Sequence, residues 1–356
     1  MSESNGGKVL TCRAPRVLIH ERVRPDDGSI QWLRDCGVQV MLGQANIDTE
    51  FKRYSDDQLI LAMQGMDGAL GSSSAHFNSH VIESLPQLRF ISKIGIGVDN
   101  IDLTAATRRG VLVSNTPGDD DYAAVAEHAI ALMLALRKRL PTWNLDYMRK
   151  GGWRSDVYSS MLDGTTVGIV GLGRIGRQVV RRLAGWNVSI LAFDPFIQEA
   201  PNGVVMTGLD GLLAEADVVT LHCPPTNDNH HIIDARALSL MKHSAILINT
   251  GRGSLVDYAA LKSALRGGMI AGAGLDVYEV EPPDPSDDLF RFDNLICTPH
   301  VASWTLDGYL NRRRHAARNM VAMLTGVGHA DVVNAEARVN GGQLPIYQIK
   351  GVPETP

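Results

Sequence analysis

The sequence predicts an α/β protein built on two doubly wound parallel sheets. Three observations predict it: short β-rich runs alternate with amphipathic segments through almost all of the 356 residues, this rhythm completes once in the first third and restarts near Thr166, and a Gly-x-Gly-x-x-Gly loop joins one such run to a helix. In order, the expected strands of the first unit are Arg16–His20, Val38–Leu42, Gly68–Leu70, Leu88–Lys93 and Val111–Ser114. Helices are expected near Ile30–Cys36, Asp56–Gln64, Asn78–Ser84 and Leu103–Arg109. Tyr122 to Arg139 follows, with Val125, Ala129, Leu132, Met133 and Leu136 at helical spacing and three cations in its last turn, where they suit the helix dipole; it is expected to bridge the two units. The second unit has expected strands at Thr166–Val170, Val188–Phe193, Val218–Leu221, Ala245–Asn249, Ile270–Asp276 and Leu295–Thr298. Thr305 caps an expected last helix to about Leu324, with Arg312, Arg313 and Arg314 on a solvated face. Residues 1–15 and 336–356 carry Gly, Pro and polar residues without period and are expected to be mobile tails.

Composition narrows the function. Lys plus Arg is 34 against 39 for Asp plus Glu, a net charge of −5, too mild and of the wrong sign for a nucleic-acid binder, so the expected partner is a small molecule. The longest apolar stretch, Ala129–Leu136, falls far short of the ~20 residues that span a bilayer, and no membrane segment is expected. Met1 to Lys8 is polar and lacks the order of a secretory signal, which predicts a cytoplasmic protein. Cys12, Cys36, Cys223 and Cys297 form no CxxC pair; they are expected to be reduced thiols, with neither a metal site nor a disulfide framework.

Gly171-Leu172-Gly173-Arg174-Ile175-Gly176 follows the run Thr166–Val170 and opens the expected helix Ile175–Ala184, the context that a dinucleotide loop needs. Gly171 permits the tight turn, Gly173 lets backbone N–H groups approach a pyrophosphate, and Gly176 lets helix pack on strand while the helix N-terminus faces the anion. Asp194 ends the next strand about 20 residues on, where a carboxylate accepts hydrogen bonds from an adenosine ribose and repels a 2′-phosphate. Pro195 and Phe196 supply no cation to neutralise such a phosphate, so NAD is expected rather than NADP.

Three polar residues stand at expected strand ends: Arg252 in Asn249-Thr250-Gly251-Arg252-Gly253, Glu281 in Asp276-Val277-Tyr278-Glu279-Val280-Glu281-Pro282, and His300 in Thr298-Pro299-His300. Strand C-termini are where open α/β sheets bind ligands. Together with Gly97-Val98-Asp99-Asn100-Ile101-Asp102, Asn115-Thr116-Pro117-Gly118, Ala126-Glu127-His128, the glycine loop and His222-Cys223-Pro224, these motifs make residues 16 to 334 resemble the D-isomer-specific 2-hydroxyacid dehydrogenase family. The resemblance implies a flavodoxin-like substrate domain in residues 1–119, a Rossmann NAD-binding domain in 120–300, a return to the substrate domain over 301–335, and an active-site cleft between the domains. It places the family's catalytic Arg, Glu and His on Arg252, Glu281 and His300. Cofactor contacts are implied at Arg174, Ile175, Asp194, Thr250, Gly251, Arg252, Asp276, His300 and the following turn with Ala302 and Ser303, with Cys223 and Pro224 lining the cofactor cleft. The loop Gly95-Ile96-Gly97 resembles the family's second carboxylate clamp, so Ile96 and Gly97 join Arg252 and His300 as expected substrate contacts. The family also commonly dimerises through the long helix and the segment 142–153, which implies a homodimer.

The chemistry requires those residue types. Hydride transfer between C2 of a 2-hydroxy acid and nicotinamide leaves a proton for an imidazole to take or give, the role expected of His300. Glu281 is expected to orient that ring and raise its pKa, and Arg252 to hold the substrate carboxylate and carbonyl with a rigid fork. His128 is expected to be a buried structural residue, His222 and Cys223 to line the cleft without chemistry. Where relatives that take phosphorylated substrates carry an Arg, this chain reads Gly71-Ser72-Ser73-Ser74, which argues against phosphoglycerate, although Lys93 leaves an anionic tail open. No regulatory domain is expected after the second unit, and Trp304 is expected either to line the pocket or to pack on the last helix. The rivals are a non-catalytic NAD(H) sensor resembling the C-terminal-binding-protein corepressors and a phosphite dehydrogenase; Glu281 argues against formate enzymes, which place Gln there.

Overall fold

The computed structural model describes residues 9–11, 13–48, 53–153, 158–197, 199–337 and 345–347. The chain divides into two units: one comprises 1–118 and 306–356, the other 119–305. The first opens with β1 (Val9–Thr11), then β2 (Arg16–Ile19), α1 (Ser29–Asp35), β3 (Gln39–Leu42), α2 (Asp56–Ala62), β4 (Gly68–Gly71), α3 (Ser79–Glu83), β5 (Phe90–Lys93), α4 (Leu103–Arg108) and β6 (Leu112–Ser114). β2 to β6 form a parallel sheet in the order β3-β2-β4-β5-β6. Its strands alternate between two buried faces: Val17, Ile19, Leu70, Phe90 and Leu112 point to one, Leu18, Ala69, Ile91 and Val113 to the other. Asp102 and Asn78 accept from backbone N–H groups at the starts of their helices, and Ser55 with Gln58 forms a capping box, so the turns between strands end in satisfied helix termini.

The second unit holds α5 (Asp119–Arg137), α6 (Leu145–Arg149), β7 (Thr166–Val170), α7 (Arg174–Leu183), β8 (Ser189–Phe193), β9 (Val204–Met206), α8 (Leu209–Glu215), β10 (Val218–Leu221), α9 (Ala235–Leu240), β11 (Ile246–Asn249), α10 (Tyr258–Arg266), β12 (Gly272–Leu275) and β13 (Leu295–Cys297). Its seven strands are all parallel in the order β13-β12-β11-β10-β7-β8-β9. α5 lies wholly in this unit, where Ala129, Leu132 and Met133 pack with Val167, Ile169, Ile246 and Ile248 on one face of the sheet. Val170, Val219, Leu221, Leu247 and Leu275 pack under α8, α9 and α10 on the other. The register sets the site. Val170 pairs with Phe193, Leu221 with both Val170 and Asn249, Asn249 with Leu275 and Leu275 with Cys297, so six neighbouring strands end level along one edge.

The chain then returns to the first unit through α11 (Leu306–Thr325) and β14 (Pro345–Tyr347). Two expectations are corrected here. The arginines of α11 do not form a solvated face: Arg312 and Arg313 are buried, and the wholly enclosed Arg313 guanidinium bonds to Glu21 and Asp27. The terminal segments are not structureless where they are described, because β1 and β14 pair in parallel and Tyr347 is buried with its hydroxyl donating to Asp67 at 2.7 Å. The rest of those expected tails, residues 1–8, 12, 338–344 and 348–356, lies outside the described residues.

Candidate active site

Because the strands end level, Gly171, Asp194, His222, Thr250, Asp276 and Thr298 each stand one residue beyond β7, β8, β10, β11, β12 and β13, on the carboxyl edge of one sheet. Gly171 has φ 93°, and a Cβ there would lie 2.6 Å from the Cys223 nitrogen. A Cβ on Gly176 would meet the Gly171 carbonyl oxygen at 2.3 Å, whereas one on Gly173 meets nothing within 4 Å. The loop is thus pressed against its own helix and the 222–223 backbone but open at its middle glycine. α7 starts there with neither a side-chain cap nor an acidic residue in its first turn, which leaves its first N–H groups for an anion.

Around this loop, Asp194 accepts from the Leu172 N–H at 2.8 Å and the Phe196 N–H at 2.9 Å, tying strand end to loop while each oxygen keeps an acceptor position. Arg174 is exposed; its guanidinium donates to the Tyr122 hydroxyl at 2.6 Å and stacks 5.4 Å from that ring, while Ile175 is half-buried. His222 is buried, with Nε2 2.9 Å from Thr220 Oγ1, and burial pushes it down to about 3, so its ring is neutral. Cys223 is pushed up to about 11, mainly by burial, which leaves an inert thiol beside the exposed Pro224. Among the described residues, His222 Nδ1 and Thr250 Oγ1 are buried without a hydrogen-bond partner, and both follow the adjacent strands β10 and β11. Buried orphan polar atoms at a strand edge suit a bound polar group, and with the open Gly173 turn they fit a dinucleotide. Gly171, Gly173 and the α7 N–H groups would hold its pyrophosphate and Asp194 its ribose.

The two residues expected to handle the proton, His300 and Glu281, meet beside this edge. His300 Nδ1 lies 2.7 Å from Glu281 Oε2, and Glu281 Oε1 accepts from the Tyr278 N–H at 3.0 Å. Burial pushes the Glu281 carboxyl up, but the hydrogen bond and charge of His300, the Tyr278 N–H and the Arg252 guanidinium outweigh it and hold the carboxyl below the usual range. A carboxylate at Nδ1 fixes the tautomer and leaves Nε2 to exchange a proton. Arg252 follows Gly251 in extended backbone, its Nη1 donating to the Gly251 carbonyl at 2.8 Å. The buried Asn249 side chain clamps that loop from both ends, accepting from Gly251 N–H at 3.0 Å and donating to Arg252 O at 2.8 Å. His300 has φ 55°, left-handed backbone that costs a non-glycine residue about 1 kcal/mol or more and clusters at functional sites.

Asp276, an expected cofactor contact, is bonded to the turn after His300. Its wholly buried carboxylate accepts from Val301 N–H at 2.9 Å, Ala302 N–H at 2.8 Å and Thr298 Oγ1 at 2.6 Å. The Ala302 N–H is thereby occupied; Ser303 is half-buried and Trp304 is 66 % exposed. His128 is half-buried rather than enclosed by apolar neighbours, and its Nε2 reaches Thr298 Oγ1 at 2.9 Å. Sequence reasoning missed the parts played by Thr298, Asn249 and Tyr278, whose only signal was their place inside the strand-end motifs. In the other unit, Ile96 and Gly97 follow β5. Gly95 N–H donates to Thr116 Oγ1 at 2.8 Å and the Asn115 side-chain amide donates to Ile96 O at 2.7 Å, while the N–H groups of Ile96 and Gly97 find no partner among the described residues. Among the described residues no group of three His, Cys, Asp or Glu side chains could hold a metal ion.

A seven-stranded parallel sheet with this glycine loop, and an Arg, a Glu–His pair and a strained turn along the same edge, has the layout of a dinucleotide-binding site. Comparison with known proteins is consistent with that class. The profile of the D-isomer specific 2-hydroxyacid dehydrogenase, NAD binding domain, matches residues 130–302. A glyoxylate reductase of Thermofilum pendens is 36 % identical over 351 residues, 95 % of this chain and 99 % of the relative. A D-3-phosphoglycerate dehydrogenase of Archaeoglobus fulgidus is 35 % identical over 90 % of this chain, which spans 59 % of that longer relative. Two solved structures share the architecture. The D-lactate dehydrogenase of Aquifex aeolicus, complexed with NAD and lactic acid, has TM-score 0.74 and 28 % identity, covering 86 % of this chain and 94 % of that one. The NADPH-dependent glyoxylate/hydroxypyruvate reductase of Sinorhizobium meliloti, with NADP and malonate, has TM-score 0.75 and 31 % identity, covering 91 % and 97 %. The chain belongs to the D-isomer-specific 2-hydroxyacid dehydrogenase family, and residues 130–302 fall in its NAD-binding domain.

Proposed function

We propose that the protein is an NAD-dependent 2-keto acid reductase and D-2-hydroxyacid dehydrogenase, with glyoxylate and hydroxypyruvate as the substrates to try first. The observation that carries this is the 2.7 Å contact between His300 Nδ1 and Glu281 Oε2, beside Arg252 and the strained turn. When bound, NAD would supply or accept the hydride at C2 of the substrate. His300 gives its Nε2 proton to the alkoxide oxygen that forms as a 2-keto acid is reduced, and Glu281 stabilises the imidazolium and its tautomer. Arg252 holds the substrate carboxylate and polarises the carbonyl. Asp194 followed by Pro195 and Phe196 favours NAD over NADP. Support for small unphosphorylated acids comes from the glyoxylate reductase relative and from Gly71-Ser72-Ser73-Ser74, which offers no guanidinium to a phosphate. A homodimer and a cytoplasmic location complete the proposal. Leu145, Met148 and Trp153 are exposed on the segment after α5, as an interface needs, and Cys36, Cys223 and Cys297 are free thiols. The test is a turnover panel of glyoxylate, hydroxypyruvate, pyruvate and longer 2-keto acids, each with NADH and NADPH. Oxidation of NADH by one of them is expected; NADH binding without oxidation by any acid would make the protein a sensor.

A further inference from the structure

We propose that His128 is a positioning residue for proton transfer, acting through Thr298 and Asp276 on the turn that carries His300; the proposal rests on His300 being the acid/base. The direction of each hydrogen bond follows from the donors available. Thr298 has one hydroxyl proton, and the 2.6 Å contact with Asp276 Oδ1 places it there, since an ionised carboxylate only accepts. His128 Nε2, 2.9 Å from the same hydroxyl oxygen and 3.7 Å from Asp276 Oδ1, must therefore donate. The chain runs from the His128 N–H to Thr298 Oγ1, from its hydroxyl to Asp276, and from Asp276 back to the amides of Val301 and Ala302. Those amides are the two that follow His300, whose φ of 55° has to be imposed by its surroundings.

The other end of the turn is held by Tyr278, whose hydroxyl donates to Thr298 O at 3.0 Å, so Asp276 is the adjustable grip. Thr298 also has a competing acceptor, Leu275 O, at 3.4 Å. By filling a lone pair of Thr298 Oγ1, the His128 N–H keeps that hydroxyl aimed at Asp276. His128 is placed for this by α5, which buries Ala129 and Leu132 against the same sheet. The three-residue chain leads to the imidazole that moves the proton without touching the reacting atoms.

The test compares His128→Leu, His128→Gln and Thr298→Val in the full chain, each with and without His300→Asn. Readouts are kcat and KM with the best 2-keto acid, NADH Kd by fluorescence titration, and the thermal midpoint. His128→Leu is expected to lower kcat about tenfold or more with little change in NADH Kd, as a small misplacement of a catalytic group does. His128→Gln, whose side-chain N–H reaches to nearly the place of Nε2, should restore kcat to within about threefold of the parent, and His128→Leu should add nothing in the His300→Asn background. Parental kcat in His128→Leu, no recovery with Gln, or an equal further loss on top of His300→Asn would each overturn the proposal. If the Leu variant does not fold, Thr298→Val, which removes the relay hydroxyl at constant volume, decides by the same criteria. Turnover persisting in His300→Asn alone would instead refute the proposed function, so the two failures are distinguishable.

Discussion

The proposed roles of His300 and Glu281 rest on the contact each makes with the other. Glu281→Gln keeps the shape but removes the charge that stabilises an imidazolium, and is expected to cut kcat about 10- to 100-fold with a smaller effect on KM; equal kcat in the two proteins would argue against the pair. Because the Glu281 carboxyl is held below its ordinary range, its stabilising contribution is present above the ordinary carboxylate pKa and fades as pH falls through the lowered value. Two enclosed histidines act in a higher window. Burial pushes His20 down to about 3, with Lys93 and Arg313 adding to it, and burial does the same to His222. The unfolded chain binds protons at these sites below about pH 6.5 and the folded one does not, so stability falls as pH drops from there toward 3. Each histidine is expected to cost on the order of 2 kcal/mol between pH 8 and pH 5. Urea unfolding at both pH values, in the parent and in His20→Gln, checks this: the variant should lose less on acidification, and an equal loss would contradict it.

At the scale of elements, α11 is anchored by an ion cluster rather than by apolar contact alone. Arg313 is wholly enclosed, its partners Glu21 and Asp27 are nearly so, and its guanidinium lies 5.4 Å from the Tyr309 ring. Arg313→Met strands two buried carboxylates and is expected to destabilise the protein by about 3–5 kcal/mol in urea unfolding; a loss under about 1 kcal/mol would show that water reaches the cluster. The sequence did not reveal this because the partners lie 292 and 286 residues away, and a run of three arginines ordinarily marks solvent. The central strands were legible within a residue or two, since Val17–Ile19, Thr166–Val170 and Val218–Leu221 are β-rich runs bounded by turns. β9 was not: it has three residues at a sheet edge with Val205 exposed, too short for any period to show. β1 and β14 were hidden for another reason, each needing a partner from the far end of the chain. In the site, Arg252, Glu281 and His300 were legible as polar residues in strand-end motifs. The support from Asp276, Thr298 and His128 was not, because sequence spacing cannot show where a buried carboxylate's oxygens point.

For the molecule as a whole, the net charge of −5 is spread over a chain in which no helix among the described residues is long and apolar enough to cross a membrane. What its surface does offer is the apolar segment after α5, where Trp153 is 71 % and Leu145 62 % exposed. Sedimentation is expected to show a dimer at micromolar concentration that Trp153→Glu shifts toward monomer; a monomeric parent would exclude the proposed assembly. The catalytic proposal asks less of the molecule, since Arg252, Glu281, His300 and the glycine loop all belong to one unit. Its most direct check is single-turnover oxidation of bound NADH by glyoxylate or hydroxypyruvate, in the parent and in His300→Asn at saturating cofactor. A fall of at least about 100-fold in the rate, with NADH Kd little changed, is predicted for the loss of the proton donor. A His300→Asn protein that oxidises NADH at nearly the parental rate would contradict the assignment.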